Sequence, residues 1–204
     1  MKSLFLLFFL LFSSVHIDAQ GIRMRDLFAA MPDSLMPFVT RNNRLDCIDF
    51  MENHMEARVR NRLEQYVELK ALTADYLLFQ TSQKGYTEMK YVADSDTTGL
   101  LFAVRTCLGP IADSHVMCFN TDWTLIPSPM TRPRVQDFFH IPDEAQTEAV
   151  RLVLTELEDL PFLKASLSED EANLTWEISL EYLSREGREM VQPYVRPVVQ
   201  PLGR

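Results

Sequence analysis

The chain has 204 residues, of which 47% are hydrophobic and 24% charged, and its 20 Lys and Arg against 29 Asp and Glu give a formal net charge of -9. This length is typical of one compact domain. The acidic balance argues against nucleic-acid binding, which needs a basic face, and the six glycines form no Gly-rich phosphate loop, which argues against nucleotide enzymes.

The N-terminus has the composition of a signal peptide. Lys2 precedes an unbroken apolar run over residues 4–12, and a polar, mostly small-residue region ends at Ala19. The apolar run is too short to cross a bilayer, which takes about 20 helical residues. We expect residues 1–19 to be removed, which leaves an exported chain of residues 20–204 with no further membrane span.

The next element is an amphipathic helix predicted over residues 44–65. Asn43 is the expected capping residue, with Asp46 as the acid three positions later. Its apolar stripe has spacings of three or four residues and consists of Leu45, Ile48, Met51, Met55, Val59 and Leu63. This face must pack against another element, most simply a sheet.

From Ala74 onward, short runs of aromatic and β-branched residues alternate with turn residues. Strands are predicted over residues 76–81, 86–92, 100–107, 114–120 and 123–126. Their short connections predict sequential antiparallel pairing, because a parallel sheet would need helical crossovers.

Prolines between residues 127 and 134 interrupt this pattern and mark the best internal boundary. Further elements are predicted beyond it: a helix over residues 142–157, strands over 160–167 and 173–180, a helix over 182–191, and an edge strand or extended tail over 194–202. The order predicts an α+β fold in which helices pack on one face of an antiparallel β-meander. Residues 20–127 and 135–204 have the same order of elements, so a single domain of two similar halves is one interpretation.

Five motifs carry a resemblance to a known family. They are Asn42-Asn43-Arg44-Leu45-Asp46-Cys47-Ile48-Asp49-Phe50, Leu72-Thr73-Ala74-Asp75-Tyr76-Leu77, Glu88-Met89-Lys90, Asp113-Ser114 and Asp137-Phe138-Phe139. In collinear order over nearly the whole mature chain, they resemble an exported family of Bacteroidales bacteria known only as a domain of unknown function. The resemblance implies a small secreted or periplasmic protein of a Gram-negative anaerobe and brings no catalytic residue with it.

Three cysteines remain in the mature chain, and an oxidising compartment allows one disulfide. Cys107 and Cys118 flank a predicted hairpin, so a cross-strand bridge between them is one interpretation. The other is that Cys47, Cys107 and Cys118 are buried, unreactive thiols. Their spacing does not suggest a zinc site.

The histidines give no catalytic pattern. His54 lies off the apolar stripe on the predicted helix, where a solvated face explains it. Asp113-Ser114-His115 contains the residue types of a nucleophilic triad, but strand neighbours point to opposite faces and cannot form one. A local turn motif is the preferred interpretation. His140 follows two phenylalanines and is expected to cap a buried aromatic anchor.

Other candidates rest on short motifs. Residues 94–97 are rich in oxygen ligands, yet the spacing of a calcium loop is missing. Ser34 and Thr97 lie in motifs that resemble bacterial O-glycosylation acceptors, and Asn173 begins an N-glycan sequon. The acidic residues 169–171 are interpreted as a solvated hairpin tip rather than as hydrolase carboxylates.

Two functions are compatible with these observations. The first is a non-enzymatic exported module that binds a protein or a glycan of the cell envelope through a sheet face or through the loops at residues 94–99 and 127–134. The loop at 127–134 contains Met130, Arg132 and Arg134. The alternative is a small hydrolase of an envelope substrate, in which Asp113, His115 and His140 meet only in three dimensions. No catalytic, cofactor-binding or metal-binding residue is assigned.

Overall fold

The computed structural model describes residues 21–95 and 98–203, so the predicted signal peptide lies outside the described residues. Within these ranges the chain forms four α-helices: α1 Met24–Ala30, α2 Arg41–Glu52, α3 Glu148–Asp159 and α4 Arg185–Val191. The strands are β1 Arg58–Arg60, β2 Tyr66–Leu72, β3 Tyr76–Ser82, β4 Gly85–Ala93, β5 Gly99–Leu108, β6 Ala112–Asn120, β7 Leu125–Ile126, β8 Leu163–Leu167, β9 Asn173–Ile178 and β10 Val198–Pro201.

The strands form two antiparallel sheets. The large sheet has the order β1-β2-β3-β4-β5-β6-β7, and the small sheet has the order β10-β9-β8. Every neighbouring pair in both sheets is antiparallel. The predicted α+β class and the antiparallel meander are therefore confirmed, and β10 is the edge strand expected near the C-terminus.

The two faces of the large sheet bury different cores, because side chains alternate between faces along each strand. On one face, Phe79 and Leu101 pack with α1 and α2 through residues such as Phe28 and Ile48. On the other face, a second core joins the large sheet to the small sheet, α3 and α4. That core includes Phe102, Cys118, Leu157, Trp176 and Val191. Helices therefore lie on both sides of the large sheet, whereas the sequence predicted them on one face only.

The predicted helix over residues 44–65 is wrong in both of its boundaries. The cap is Thr40, whose Oγ1 accepts from the Asn43 N–H at 3.1 Å while the Asn43 side chain accepts from the Thr40 N–H at 3.1 Å. The helix ends at Glu52, and His54 then adopts a left-handed backbone with φ 56°. The second half of the predicted helix becomes β1 and the turn after it.

Strand β2 is absent from the sequence-based expectation. Its residues alternate, with Val67 and Leu69 buried against the α1–α2 core and Tyr66, Glu68 and Lys70 on the opposite face. The alternation is a strand signal, but the apolar spacing of the preceding segment masked it. Strands β3 to β7 lie where they were predicted, to within two residues at each end.

Of the two interpretations of the cysteines, the structure does not support a Cys107–Cys118 bridge. In the β5–β6 ladder, Cys107 is opposite Asp113 and Cys118 is opposite Phe102, so the two thiols lie at different heights along the hairpin. All three cysteines are free. Cys47 and Cys118 are buried, and burial raises the pKa of Cys47 to about 12. Cys107 is exposed, contrary to the interpretation that all three are buried.

Candidate functional site

Part of the large sheet is left uncovered on the side that carries the small sheet. The small sheet packs through β8 against β4, β5 and β6, and β1 and β2 lie beyond it. An open groove of about 620 Å³ runs over this uncovered area. We call it the open groove and define it by Arg58, Tyr66, Glu68, Gln80, Gln83 and Lys84.

The strand register explains why polar residues meet in the open groove. Arg58 is opposite Glu68 in the β1–β2 ladder, and Glu68 is opposite Gln80 in the β2–β3 ladder. These three side chains therefore form one row across three strands. Their neighbours Val67 and Leu69 point to the other face and anchor the strand in the core. The polar row thus stands on rigid strands, whose positions are set by a buried core on the opposite face.

An aromatic ring lies beside this row. Tyr66 remains 49% exposed, and the Arg58 guanidinium lies over its ring, 4.0 Å from the centroid. Arg60 approaches the same ring at 5.2 Å. Stacking on an aromatic face fixes the plane of a guanidinium while its N–H edge stays available. Tyr66 therefore orients Arg58 within the open groove.

The acids and the cations of the open groove differ in how they are paired. Glu68 pairs with Lys70 at 2.6 Å, and Glu64, at the groove margin, pairs with Arg60 at 3.3 Å. The acid that pairs with Arg58 is Glu56, at 3.6 Å. In the described ranges, neither the Arg58 side chain nor the Lys84 side chain makes a hydrogen bond. The acids are thus neutralised, while two cations keep their donors for a ligand.

The Asp113-Ser114 motif has a different role from the one a triad would give it. The Asp113 Oδ1 accepts from the Leu163 N–H at 3.0 Å, and the Ser114 Oγ accepts from the Ala165 N–H at 2.9 Å. Both amides lie on the edge of β8 that faces away from β9. The motif therefore joins the two sheets and satisfies the backbone of an edge strand.

The histidines are dispersed over the fold. His115 is exposed beside Arg105 and points to the face opposite Ser114. Phe138 and Phe139 are buried as expected, but the His140 ring is exposed and its backbone N–H donates to Tyr194. His54 lies after α2 rather than on it. No hydrogen bond connects a histidine side chain to Asp113 in the part of the chain that the structure describes.

The loop over residues 127–134 is attached to the body of the protein through Arg132. Arg132 donates to Asp113 Oδ1 at 3.0 Å, to the Ser114 carbonyl at 3.3 Å and to the Pro161 carbonyl at 3.1 Å. Arg134 pairs with Asp137 at 3.3 Å. The guanidinium of Arg132 is thus a clamp between the sheets.

The other candidate motifs remain separate from the open groove. Asp94 and Ser95 are exposed, and Thr97 lies outside the described residues. Ser34 is exposed in a short 3-10 helix, and Asn173 begins β9. The acidic residues 169–171 are exposed, as expected of a solvated tip. Within residues 21–95 and 98–203, no three His, Cys, Asp or Glu side chains are grouped as metal ligands would be.

The open groove was not predicted from the sequence, because three of its residues, Arg58, Tyr66 and Glu68, lie on β1 and β2. Neither strand was predicted. The available signal was the alternation from Tyr66 to Lys70, which places Glu68 with the row of Arg58 and Gln80.

The fold and the open groove define a small α+β domain in which two antiparallel sheets share a core and leave a polar groove exposed. The chain belongs to the family described as "Protein of unknown function (DUF3256)", which matches residues 14–200. This confirms the resemblance to a family of unknown function. None of the helices in the described ranges is long and apolar enough to cross a membrane.

The comparison with solved structures gives a similar protein from the bacterial order Bacteroidales. The chain is similar to "Structure of a domain of an uncharacterized protein from Porphyromonas gingivalis W83", with 25% sequence identity and a TM-score of 0.71. The match covers 88% of this chain and 93% of the other. No curated protein matched the sequence.

Proposed function

We propose that the protein is a non-enzymatic module of the bacterial envelope that is exported and binds a glycan in the open groove. The observation that carries this proposal is the open groove itself: about 620 Å³ of polar surface on an uncovered part of a rigid sheet. A volume of about 300 to 1,000 Å³ is usual for ligand sites. Export is supported by the composition of residues 1–19.

The side chains of the open groove suit a ligand rich in hydroxyl groups. Gln65, Gln80 and Gln83 line it, and each amide offers both donors and acceptors. Glu68 adds acceptors and Arg58 adds donors. A hydroxyl group is itself both donor and acceptor, so a sugar satisfies this mixed set better than an apolar ligand does.

A protein partner fits the open groove less well. Binding energy in protein interfaces concentrates in buried aromatic or apolar anchors that fill pockets. The one aromatic ring on the sheet floor of the open groove, Tyr66, already has the Arg58 guanidinium over it. The lining therefore favours a glycan over a protein.

The test measures binding of the mature chain to a panel of soluble neutral and acidic polysaccharides by affinity electrophoresis. Gln80→Ala and Tyr66→Ala are expected to weaken binding about tenfold each, because each removes contacts from the floor of the groove. Leu152→Ala, at a position 64% exposed on α3, is the control and should bind as the wild type does.

Equal binding by the groove variants and the wild type would show that the glycan lies elsewhere. Capture of an envelope protein that depends on Tyr66 and Gln80, with no retardation by any polysaccharide, would replace the glycan with a protein ligand. For the export part, the chain recovered from the periplasm or the medium should begin at Gln20.

A further inference from the structure

We infer that the open groove selects acidic glycans, whose carboxylates are bound by Arg58 and Lys84. This inference rests on the proposed function and specifies the class of glycan. It is argued from charge: the open groove has cations with unused donors, whereas its acids are paired.

The ion pairs in and around the open groove favour a ligand with negative charge. Glu68 and Glu64 each have a cation within 3.3 Å, and neither needs a positive ligand. Arg58 lies 3.6 Å from Glu56 without a hydrogen bond, and Glu56 is 69% exposed. An exposed pair at this separation is weak and easily exchanged for another acceptor. The open groove thus offers two cations with unused donors, Arg58 and Lys84, in a protein whose net charge is -9.

Arg58 is prepared for a carboxylate. Its guanidinium lies 4.0 Å from the Tyr66 ring centroid, which fixes its plane. A planar guanidinium binds a carboxylate through two parallel N–H···O bonds, and little side-chain freedom is then lost. Strand β1 holds the backbone of Arg58 by pairing with β2.

Lys84 supplies a second charge at the other side of the groove. Its backbone is fixed in the β3–β4 turn, since its N–H donates to the Ser82 Oγ at 3.1 Å and its carbonyl accepts from the Leu108 N–H at 2.8 Å. Its ammonium group has no ion pair in the described ranges. A positioned but unpaired ammonium is free to meet a ligand carboxylate.

The separation of the two cations indicates a chain rather than a single small anion. Arg58, Glu68 and Gln80 occupy three adjacent strands, so Arg58 and Gln80 are roughly 10 Å apart across the sheet. Lys84 lies beyond Gln80, in the turn that follows β3. An oligosaccharide with acidic residues along its length reaches both cations, with its hydroxyls over the amides between them.

The test compares oligogalacturonate with its fully methyl-esterified form, which has the same sugar backbone without the charge. Isothermal titration of the mature chain should give an affinity at least about tenfold higher for the acidic form. Arg58→Gln and Lys84→Gln should each lower the affinity for the acidic form more than the affinity for the ester, and so reduce this preference. Arg58→Lys keeps the charge but not the fork, so its loss should be intermediate.

The control is Arg185→Gln, which removes one positive charge from an exposed site on α4 where the side chain is 90% exposed. It should leave the preference intact. Equal affinity for the two forms, with both affinities lowered by Gln80→Ala, would overturn the preference for acid and leave the proposed function standing. Binding of neither form would overturn this inference, while the wider polysaccharide panel still decides the proposed function.

Discussion

At the scale of single residues, Glu88 is the most unusual ionisable group of the second core. It is 6% exposed, and its Oε1 accepts from the Tyr76 hydroxyl at 3.1 Å. Within residues 21–95 and 98–203, its Oε2 makes no hydrogen bond. Burial raises the pKa of Glu88 from 4.5 to about 7, although the Tyr76 hydrogen bond and the charge of Lys164 act in the opposite direction.

This shift predicts how stability depends on pH. Because the folded state favours protonated Glu88, folding becomes less favourable as pH rises from about 4.5 to 7, with a total cost of about 3 kcal/mol. Glu88→Gln should remove this contribution and be more stable than the wild type at pH 8. Urea unfolding of both proteins across this pH range measures the difference, with the exposed Glu177→Gln as control. An unchanged difference between wild type and Glu88→Gln at all pH values would contradict the prediction.

Arg44 is fully buried and connects α2 to the segment before it. Its guanidinium donates to the carbonyls of Phe28 and Val39, both at 3.0 Å, and to the carbonyl of Met31, and it pairs with Asp33 at 3.0 Å. Nothing in the sequence pattern indicates this role, since Arg44 is simply the first residue of the helix predicted over residues 44–65.

Arg44→Met is therefore expected to destabilise the protein by about 3 to 5 kcal/mol, since three buried carbonyls lose their donor. Arg41→Met, one turn earlier on an exposed position of the same helix, should change stability by less than about 0.5 kcal/mol. Thermal unfolding of the two variants is the measurement. Similar losses in both would mean that a general effect of helix charge, rather than the buried hydrogen bonds, is responsible.

At the scale of elements, side chains of β6 join the two sheets by accepting hydrogen bonds from the backbone of edge strand β8. Asp113 and Ser114 accept the outward amides of Leu163 and Ala165, and Arg132 bonds to both residues of the pair. Edge strands usually need protection against further pairing. Here the large sheet protects β8 with polar side chains of β6.

Asp113→Ala should lower stability by about 1 to 2 kcal/mol, because the Leu163 amide loses its acceptor in a partly buried position. Hydrogen exchange should show faster exchange at Leu163 than in the wild type, with little change in β3 and β4. Asp170→Ala, on the exposed hairpin tip, is the control. Unchanged protection at Leu163 would mean that Asp113 does not hold the edge of β8.

Most strands could be predicted from the sequence because their own residues carry the signal. The runs in β3 to β6 are rich in aromatic and β-branched residues, and turn residues separate them. The segment after α2 could not be predicted in this way. Met55, Val59 and Leu63 have helical spacing, but the chain turns at Asn61, whose side chain accepts from the Leu63 and Gln65 amides.

The open groove could not be predicted from the sequence for a related reason. Arg58, Glu68 and Gln80 are distant in the chain, and only the ladders of β1, β2 and β3 place them in one row. The local turn motif preferred for Asp113 and Ser114 is wrong, because their side chains accept from the backbone of β8, about 50 residues away in sequence. Pairing between segments far apart in the chain was therefore not predictable.

At the scale of the whole molecule, the mismatch in size between the two sheets produces the candidate site. The large sheet has seven strands and the small sheet three, and the small sheet packs through β8 against β4, β5 and β6. The large sheet stays rigid past this contact because α1 and α2 cover its other face. The similarity of residues 20–127 to 135–204, and removal of residues 1–19, stay predictions.

The β5–β6 register has a practical consequence. It leaves Cys107 as the exposed thiol, near the end of β5. Cys107 is opposite Gly85 in the β4–β5 ladder. Cys47 and Cys118 are shielded by burial. A thiol-reactive fluorophore would thus attach at the end of β5, on the face that Arg105 shares and opposite the open groove, so the natural sequence can be labelled away from the proposed binding surface without an engineered cysteine.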